Sequence, residues 1–258
     1  MTMKPDEEGY SMPLSAPTFS APPFAATAQS QILYMIFTSD PDALAWEVPE
    51  PLEVDHRGHV LAWIGDMGQP SHTIDIYHEA LTAIRVRYKQ WHGWYINYIW
   101  VDHDMALTMA RELYGWPANI CESTDLRFHG SQIFGECVRY KEELMRMSIN
   151  ITSPPTVGRS VPLENEFGEL AGGDFLQIRK FPAAQENMPA IKQLLLIPSQ
   201  DFEIHEIWSG NGALEFGKSG LYPHLHKLDP REVLGAWYLK ASWTVPHPRL
   251  LWESASSD

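Results

Sequence analysis

Apolar and aromatic residues are arranged along the chain mainly in short runs or in strict alternation. Such patterns are typical of β-strands rather than of amphipathic helices. QILYMIF at 31–37 is a continuous apolar run that predicts a buried strand, and HVLAWIG at 59–65 and WYINYIWV at 94–101 predict two more. Further strands are indicated by LRFH and SQIFGECVRY around a hairpin turn at Gly130, and by ELMRMSINI, FEIHEIWSG, ALEFG and AWYLKASWTV.

The clearest alternation occurs between residues 74 and 88. Successive side chains of a strand point to opposite faces. A regular strand here places Ile76, His78 and Ala80 on one face, and Tyr77 and Glu79 on the other. The pattern therefore predicts that Tyr77 and Glu79 share a face.

Two segments carry the start and stop signals of short helices. In SDPDALAWEVPEP, Ser39 or Asp40 can cap the helix and Pro41 suits its first turn. In HDMALTMARELY, residues 103–114, Asp102 is the candidate cap, and the Gly-Trp-Pro that follows predicts the end. Many strands and few helices predict a mainly β (α+β) fold, either one curved sheet or a closed, barrel-like domain.

The composition of the chain changes along its length. Residues 1–28 are rich in Pro, Ala and Ser and show no period, which predicts a flexible N-terminal arm or one that wraps a neighbouring surface. Residues 29–258 are predicted to form a single domain. Within this domain, the Pro- and Gly-rich residues 153–173 predict an excursion loop.

Charge and cysteine content restrict the possible functions. The chain has 19 Lys+Arg against 33 Asp+Glu, a net charge of −14. This balance argues against nucleic acid and against an anionic membrane surface as partners. The sequence contains no run of about 18 apolar residues, so no membrane span is predicted. The acidic N-terminus does not resemble a secretory signal, and Cys121 and Cys137 do not make a disulfide framework, so we expect a cytoplasmic protein.

No motif for a metal or a cofactor stands out in the sequence. The chain has no Gly-rich phosphate loop, no GxSxG elbow and no HExxH pair. His224 and His226 would share a face if their segment were a strand, but no third ligand is close in sequence. We expect neither a metal nor a cofactor.

Three segments in register resemble the acetoacetate decarboxylase family. They are PEPLEV at 49–54, RELYGWP at 111–117 and EIWSGNGALEF at 206–216, and the resemblance spans about 31–252. It implies a mostly antiparallel β structure whose curved sheets form a cone around a buried cavity. It also implies a homo-oligomer, since relatives in the family associate.

The resemblance implies that the reactive lysine of the family is missing. Decarboxylases of the family carry a lysine, commonly two, just after the aromatic-proline pair of the RELYGWP-like segment. The first lysine forms an iminium with the substrate ketone. Here the two places fall on Ala118 and Asn119. Neither an alanine nor an amide nitrogen can form an imine, so Schiff-base chemistry at this position is excluded.

Two further departures from the family pattern indicate a less polar pocket. The first core strand of the decarboxylases carries an arginine near the substrate carboxylate, and our alignment puts Ser30 or a neighbour there. An acidic residue of the next strand falls near Trp63. The expected substrate is therefore larger and more apolar than acetoacetate.

One family feature is retained. In IYHEALTAIRV, residues 76–86, Glu79 takes the place of a glutamate that the family directs into its cavity. A carboxyl group in an apolar pocket can act as a general acid or base near neutral pH, and Tyr77 can donate to an enolate oxygen. The alternative is that Glu79 pairs with Arg85 or Arg87 on a solvated face.

The leading hypothesis is an enzyme that performs lysine-independent acid–base chemistry on a hydrophobic, enolisable small molecule, such as a polyketide-like secondary-metabolite intermediate. The reaction class is isomerisation, dehydration or cyclisation. A non-catalytic small-molecule-binding protein and a β-keto acid decarboxylase with a relocated lysine, Lys180 for example, remain as alternatives. The predicted catalytic residues are Glu79, Tyr77 and Asn119, and the predicted substrate-binding residues are Trp63, Trp100, Trp116, Ala118 and Ser30.

Overall fold

Strands form most of the structure, a computed structural model that describes residues 4–68, 76–157, 173–186 and 188–254. The mainly β prediction is confirmed. The strands are β1 (Phe24–Thr38), β2 (Glu53–Val54), β3 (His59–Met67), β4 (Tyr77–Tyr88), β5 (Trp91–Val101), β6 (Ala118–Ile120), β7 (Ser123–His129), β8 (Gln132–Arg139), β9 (Glu142–Ile151), β10 (Thr156–Val157), β11 (Phe175–Phe181), β12 (Ile191–Ile197), β13 (Gln200–Phe216), β14 (Glu232–Val245) and β15 (Arg249–Glu253).

Helical segments are short. The α-helices are α1 (Pro41–Glu47) and α2 (Asp104–Met109), and α2 continues directly into a wider, π-helical turn at Ala110–Tyr114. Single 3₁₀ turns cover Pro5–Glu7 and Leu225–Leu228. None of the helices in the described ranges is long and apolar enough to cross a membrane.

The strands belong to one large curved sheet. Its main path runs β15-β12-β11-β5-β4-β3-β1-β14-β13-β9-β8-β7, with β2, β6 and β10 pairing to the side. Most neighbours are antiparallel, but β5 pairs in parallel with both β6 and β11. Along the described strands the sheet is not closed, since β15 and β7 form its two ends. The predicted curvature is therefore confirmed, whereas full barrel closure is not found.

Apolar side chains cover both faces of the central strands. In β1, Ile32, Tyr34 and Ile36 pack on one face, whereas Leu33 and Met35 pack on the other. This two-sided burial explains the continuous apolar run at 31–37, because a strand with one solvated face would alternate. The face that carries Ile32 and Tyr34 is called the site face below.

The structure modifies both predicted helices. Of the two predicted cap candidates, Ser39 and Asp40, Asp40 caps α1, and its carboxylate accepts hydrogen bonds from the backbone N–H of Asp42 at 2.9 Å and of Ala43 at 3.3 Å. The cap of α2 is His103, whose ring nitrogen accepts from the Met105 N–H, and not Asp102.

Asp102 is occupied elsewhere. Its carboxylate accepts from the backbone N–H of His78 at 2.8 Å and bonds to the His78 ring, so this group ties the end of β5 to β4 and is not free to cap. At its C-terminal end the helical segment stops as predicted. Gly115 is left-handed, with φ of 73°. A side chain there would also meet the Arg179 backbone at 2.6 Å.

The N-terminal boundary differs from the prediction. The strand β1 begins at Phe24, so part of the proposed 1–28 arm lies in the sheet. Before it, Phe19 is buried against Tyr114, and its backbone N–H and C=O both bond to the Ser11 hydroxyl. Phe19 thus contacts the body of the protein, and Ser11 is held to Phe19. Most of the predicted 153–173 loop lies outside the described residues; its described part includes β10, which pairs with β13.

Candidate active site

A largely apolar cavity of about 70 Å³ lies on the site face near the start of β4. Four of the predicted site residues line it, namely Trp63, Tyr77, Glu79 and Trp116. The structure therefore brings together side chains from β3, β4 and the segment after α2. The other lining residues in the described ranges are Met67, Gly68, Leu81, Ile96, Ile99, Met109, Tyr114, Phe175, Ile197, Pro198, Ser199, Trp243 and Val245.

Glu79 is the acidic residue among the described residues that line this cavity. Its side chain is buried, with 5% of the residue exposed. The Trp63 indole N–H donates to Oε1 at 2.9 Å, and the Tyr77 hydroxyl donates to Oε2 at a longer 3.4 Å. The alternative in which Glu79 pairs with Arg85 or Arg87 on a solvated face does not occur.

Strand register explains why these side chains meet. In the antiparallel pair of β3 and β4, Gly65 is opposite Glu79, and Trp63 is opposite Leu81. Trp63 and Glu79 are thus diagonal neighbours on one face, within reach of long side chains. Tyr77 lies two residues before Glu79 in the same strand and so faces the same way.

Burial sets the protonation behaviour of this group. Removal from water raises the pKa of Glu79 to about 7, although the hydrogen bonds from Trp63 and Tyr77 pull in the opposite direction by favouring the carboxylate. Burial, and then the nearby Glu79 charge, raises the pKa of Tyr77 well above its usual value. Near neutral pH, Tyr77 is therefore a protonated donor beside a carboxyl that can both give and take a proton.

This raised pKa predicts a dependence of stability on pH. Between its unfolded pKa, about 4.3, and its folded value of about 7, Glu79 holds more protons in the folded state. The free energy of unfolding must therefore fall as pH rises through this window, by at most about 4 kcal/mol, and level off above it. In Glu79→Gln this contribution disappears. Urea titrations should show that the free energy of unfolding falls less between about pH 5 and about pH 8 in the variant than in the wild type.

The exposed Glu215 provides the matched control for this experiment. Glu215→Gln should lose as much stability between the two pH values as the wild type. Equal losses in all three proteins would mean that Glu79 is not a proton-binding group of raised pKa.

Two predicted site residues lie on the opposite face of the sheet. Trp100 is opposite Ala80 in β4, one position out of phase with Glu79. It is fully buried in the other core layer, where its ring stacks on Tyr98 and meets Tyr222 edge-on. The prediction that Trp100 walls the cavity is therefore wrong.

Strand pairing also explains why Asn119 points away from the cavity. In the parallel pairing of β5 and β6, Asn119 is beside Trp100, and Ala118 is beside Ile99. The Asn119 amide donates to the Pro117 carbonyl at 2.9 Å and does not line the cavity. The prediction that it binds a substrate carbonyl is corrected accordingly.

Ala118 lies at the margin of the site. Its strand partner Ile99 lines the cavity, so the Ala118 side chain points to the site face, where it is buried among apolar neighbours. An alanine side chain is too short to reach the lining itself. A longer side chain at this position would extend on the side where the cavity lies.

Ser30 supports the site from outside it. Its buried hydroxyl accepts the backbone N–H of Gly68 at 2.9 Å, and Gly68 is part of the lining. Ser30 does not itself line the cavity, so the structure gives it a positioning contact in place of the predicted substrate contact.

Several lining residues were not predicted from the sequence. Trp243 and Val245 come from the end of β14, Phe175 from β11 and Tyr114 from the π-helical turn. Only the alternation of Trp243 and Val245 gave a signal that they share a face. Their meeting with Glu79 depends on pairing between strands that are far apart in sequence.

The lining carries little charge. Among the described residues, none of those that line the cavity is Lys, Arg or His. All eight lysines of the chain lie in the described ranges. Six of them are exposed, including Lys180. The half-buried pair is engaged elsewhere: Lys192 Nζ lies 2.8 Å from the Glu50 carbonyl, and Lys240 Nζ lies 3.0 Å from Glu206.

Comparison with known proteins identifies the family. The acetoacetate decarboxylase family model matches residues 11–254, so the chain belongs to the acetoacetate decarboxylase family. It is similar to acetoacetate decarboxylase 1 of Bradyrhizobium diazoefficiens, 27% identical over 244 residues that cover 92% of this chain and 90% of the relative. Similarity to the acetoacetate decarboxylase of Clostridium beijerinckii is 25% identity over 244 residues, 93% and 92% of the two chains.

Solved structures share the fold. One from structural studies of acetoacetate decarboxylase has a TM-score of 0.84 and 23% identity, and it covers 97% of this chain and 99% of its own. The enduracididine biosynthesis enzyme MppR, complexed with pyruvate, has a TM-score of 0.77 and 19% identity, with coverage of 95% and 97%.

Proposed function

We propose that this protein is an enzyme that moves a proton on a neutral, enolisable carbonyl compound without forming an imine. The observation that carries the proposal is Glu79, a buried carboxyl with a pKa of about 7 in an apolar cavity that no lysine lines. A general acid–base group works best when its pKa is close to the ambient pH. Membership of an enzyme family supports catalysis over simple binding.

The proposed reaction uses the two hydrogen-bonding residues of β4. The Glu79 carboxylate takes a proton from the carbon next to the substrate carbonyl, and the electrons of that C–H bond form the C=C bond of an enolate. The Tyr77 hydroxyl stabilises the charge that develops on the oxygen. Glu79, now protonated, returns the proton to the same carbon, which gives exchange. In a β,γ-unsaturated ketone it returns the proton to the γ-carbon of the dienolate, which shifts the C=C bond. Neither outcome consumes a further reactant.

A lysine iminium cannot form at the family position, because the side chains there lack a reactive amine. By the family resemblance, the reactive amines correspond to Ala118 and Asn119, and neither can condense with a ketone. The observed surroundings of the eight lysines support this view, because those that are half-buried already have partners outside the cavity.

The charge of the cavity favours a neutral substrate. A carboxylate would enter an apolar site whose described lining offers no cation, and it would lie beside the partly ionised Glu79. Both effects cost free energy. Acetoacetate is such an anion, so we propose uncharged ketones in its place. The pyruvate complex of the structurally similar MppR supports a carbonyl compound as the type of ligand.

Deuterium exchange tests this function. In D₂O, the protein is expected to accelerate exchange of the methyl protons of acetone, followed by proton NMR, because exchange requires only the first step of the proposed reaction. Absence of acceleration with acetone and with longer methyl ketones would contradict the proposal.

Trp63 is expected to tune this reaction. Trp63→Phe removes the N–H that favours the ionised form of Glu79, so the pKa of Glu79 should rise. The midpoint of the pH–rate profile for exchange should move upward by on the order of one pH unit. Trp243→Phe is the matched control, since Trp243 lines the cavity without bonding to Glu79 in the described structure. Its midpoint should stay at the wild-type position, and an identical shift in both variants would refute the assigned role.

Decarboxylation of a β-keto acid is the second candidate, favoured by the names of the similar curated relatives. It would require a lysine other than one at position 118 or 119. Release of carbon dioxide from acetoacetate, together with a borohydride-trapped adduct, would favour this candidate over proton transfer.

A further inference from the structure

A second, smaller cavity adjoins the Glu79 cavity. Its volume is about 30 Å³. The two spaces share four lining residues, Trp63, Phe175, Ser199 and Trp243, so they adjoin at these side chains. The remaining residues that line the second cavity are Ile32, Tyr34, Leu61, Trp94, Gly173, Phe202 and Leu239.

Strand pairing builds this second space on the site face. Leu239 of β14 is opposite Ile32 of β1, and Tyr34 of β1 is opposite Trp63 of β3. The rings of Tyr34 and Trp63 pack with centroids 6.3 Å apart. Phe202 of β13 packs against Trp243 with centroids 6.1 Å apart. Apolar and aromatic side chains therefore form most of the described lining, to which Ser199 adds a small polar residue.

Trp63 connects the chemistry of the two cavities. Its N–H is fixed on the Glu79 carboxylate in the first cavity, while its ring also lines the second. A molecule whose carbonyl lies beside Glu79 and Tyr77 can therefore extend its far end past the Trp63 ring. Since the second cavity is apolar, that end gains free energy when it is itself apolar.

We infer that the substrate carries a short apolar tail on its carbonyl group and that this tail occupies the second cavity. The inference rests on the proposed function and names its substrate class, an uncharged alkyl ketone. A single group the size of a water molecule needs about 10–15 Å³ of cavity volume. The second cavity therefore fits a tail of about two or three carbon atoms.

A series of methyl ketones tests the inference. We expect kcat/KM for deuterium exchange to be about tenfold higher for 2-pentanone than for acetone, since each buried CH₂ contributes about 0.8 kcal/mol. For 2-octanone, whose tail exceeds the cavity, kcat/KM should fall below that of 2-pentanone.

Variants of the second cavity sharpen the test. Leu239→Phe fills the space, so the ratio of 2-pentanone to acetone should fall to near one. Leu250→Phe makes the same exchange at an exposed residue of β15 and should keep the wild-type ratio. If Leu239→Phe does not fold, the half-buried Phe202 offers the opposite change: Phe202→Ala enlarges the space and should raise the rate for 2-octanone relative to 2-pentanone severalfold.

Binding measurements separate the tail from the chemistry. Ligand-observed NMR with Glu79→Gln should still give tighter binding of 2-pentanone than of acetone, because the tail does not need the carboxyl proton. If the wild type exchanges acetone in a Glu79-dependent manner but shows no preference for 2-pentanone, the tail inference is overturned and the proposed function stands. If no ketone is exchanged but 2-pentanone binds preferentially, the proposed function fails and the tail site stands.

Discussion

Glu79→Gln is expected to lower the rate of ketone exchange by about 10² to 10⁴-fold. Glutamine keeps the size of the side chain and can still accept the Trp63 N–H, but it cannot take or return a proton. The ordinary value of a carboxyl pKa would leave Glu79 a weak base at neutral pH. Burial raises it to about 7, where both protonation states are populated.

Two controls make the Glu79 result specific. Glu215→Gln carries the same substitution on the exposed part of β13 and should exchange ketones at the wild-type rate. Binding of 2-pentanone should persist in Glu79→Gln, which distinguishes loss of chemistry from loss of the cavity. If Glu79→Gln binds and exchanges ketones as the wild type does, Glu79 is not catalytic.

Ala118→Lys is expected to create a reactive amine. Position 118 pairs with Ile99, which lines the cavity, so a lysine there extends on the cavity side of the sheet. Its amine would be taken from water, which lowers the pKa of a lysine and exposes the free amine that attacks a ketone. Borohydride in the presence of acetone should therefore trap a covalent adduct on residue 118, which peptide mass spectrometry would locate.

The control for this gain is Ala118→Met, which adds a long apolar chain without an amine. It reports whether the packed site tolerates the added volume, since overpacking a core commonly costs 1–3 kcal/mol. A folded Ala118→Lys that traps no adduct, beside a folded Ala118→Met, would show that position 118 does not reach the cavity.

Local sequence patterns were sufficient to predict the features that depend on a single strand or on one end of a helix. The alternation of Tyr77 and Glu79 was sufficient to predict that they share a face, because the side-chain period of a strand is fixed by its geometry. The cap of α1, predicted at Ser39 or Asp40, and the stop at Gly115 are also local features. Each depends on bonds made within a few residues.

The predictions that failed concern residues whose position depends on pairing between strands that are distant in sequence. Trp100 and Asn119 are apolar and polar residues of suitable type, but the phase of β5 and β6 turns both to the other face. Asp102 has the residue type of a helix cap, but its carboxylate is bonded to His78 of β4. The open sheet and the contributions of Trp243 and Phe175 to the cavity likewise follow from long-range pairing that a single sequence does not reveal.

Borohydride trapping of the unmodified protein is the most direct measurement of whether it works without a lysine imine. The wild-type chain, incubated with acetone or acetoacetate and reduced, should keep its intact mass while it continues to exchange acetone protons, with Ala118→Lys as the positive control. A reduced adduct on any of the eight native lysines, formed at the rate of turnover, would contradict the account and favour an imine-dependent reaction such as the decarboxylation for which its relatives are named.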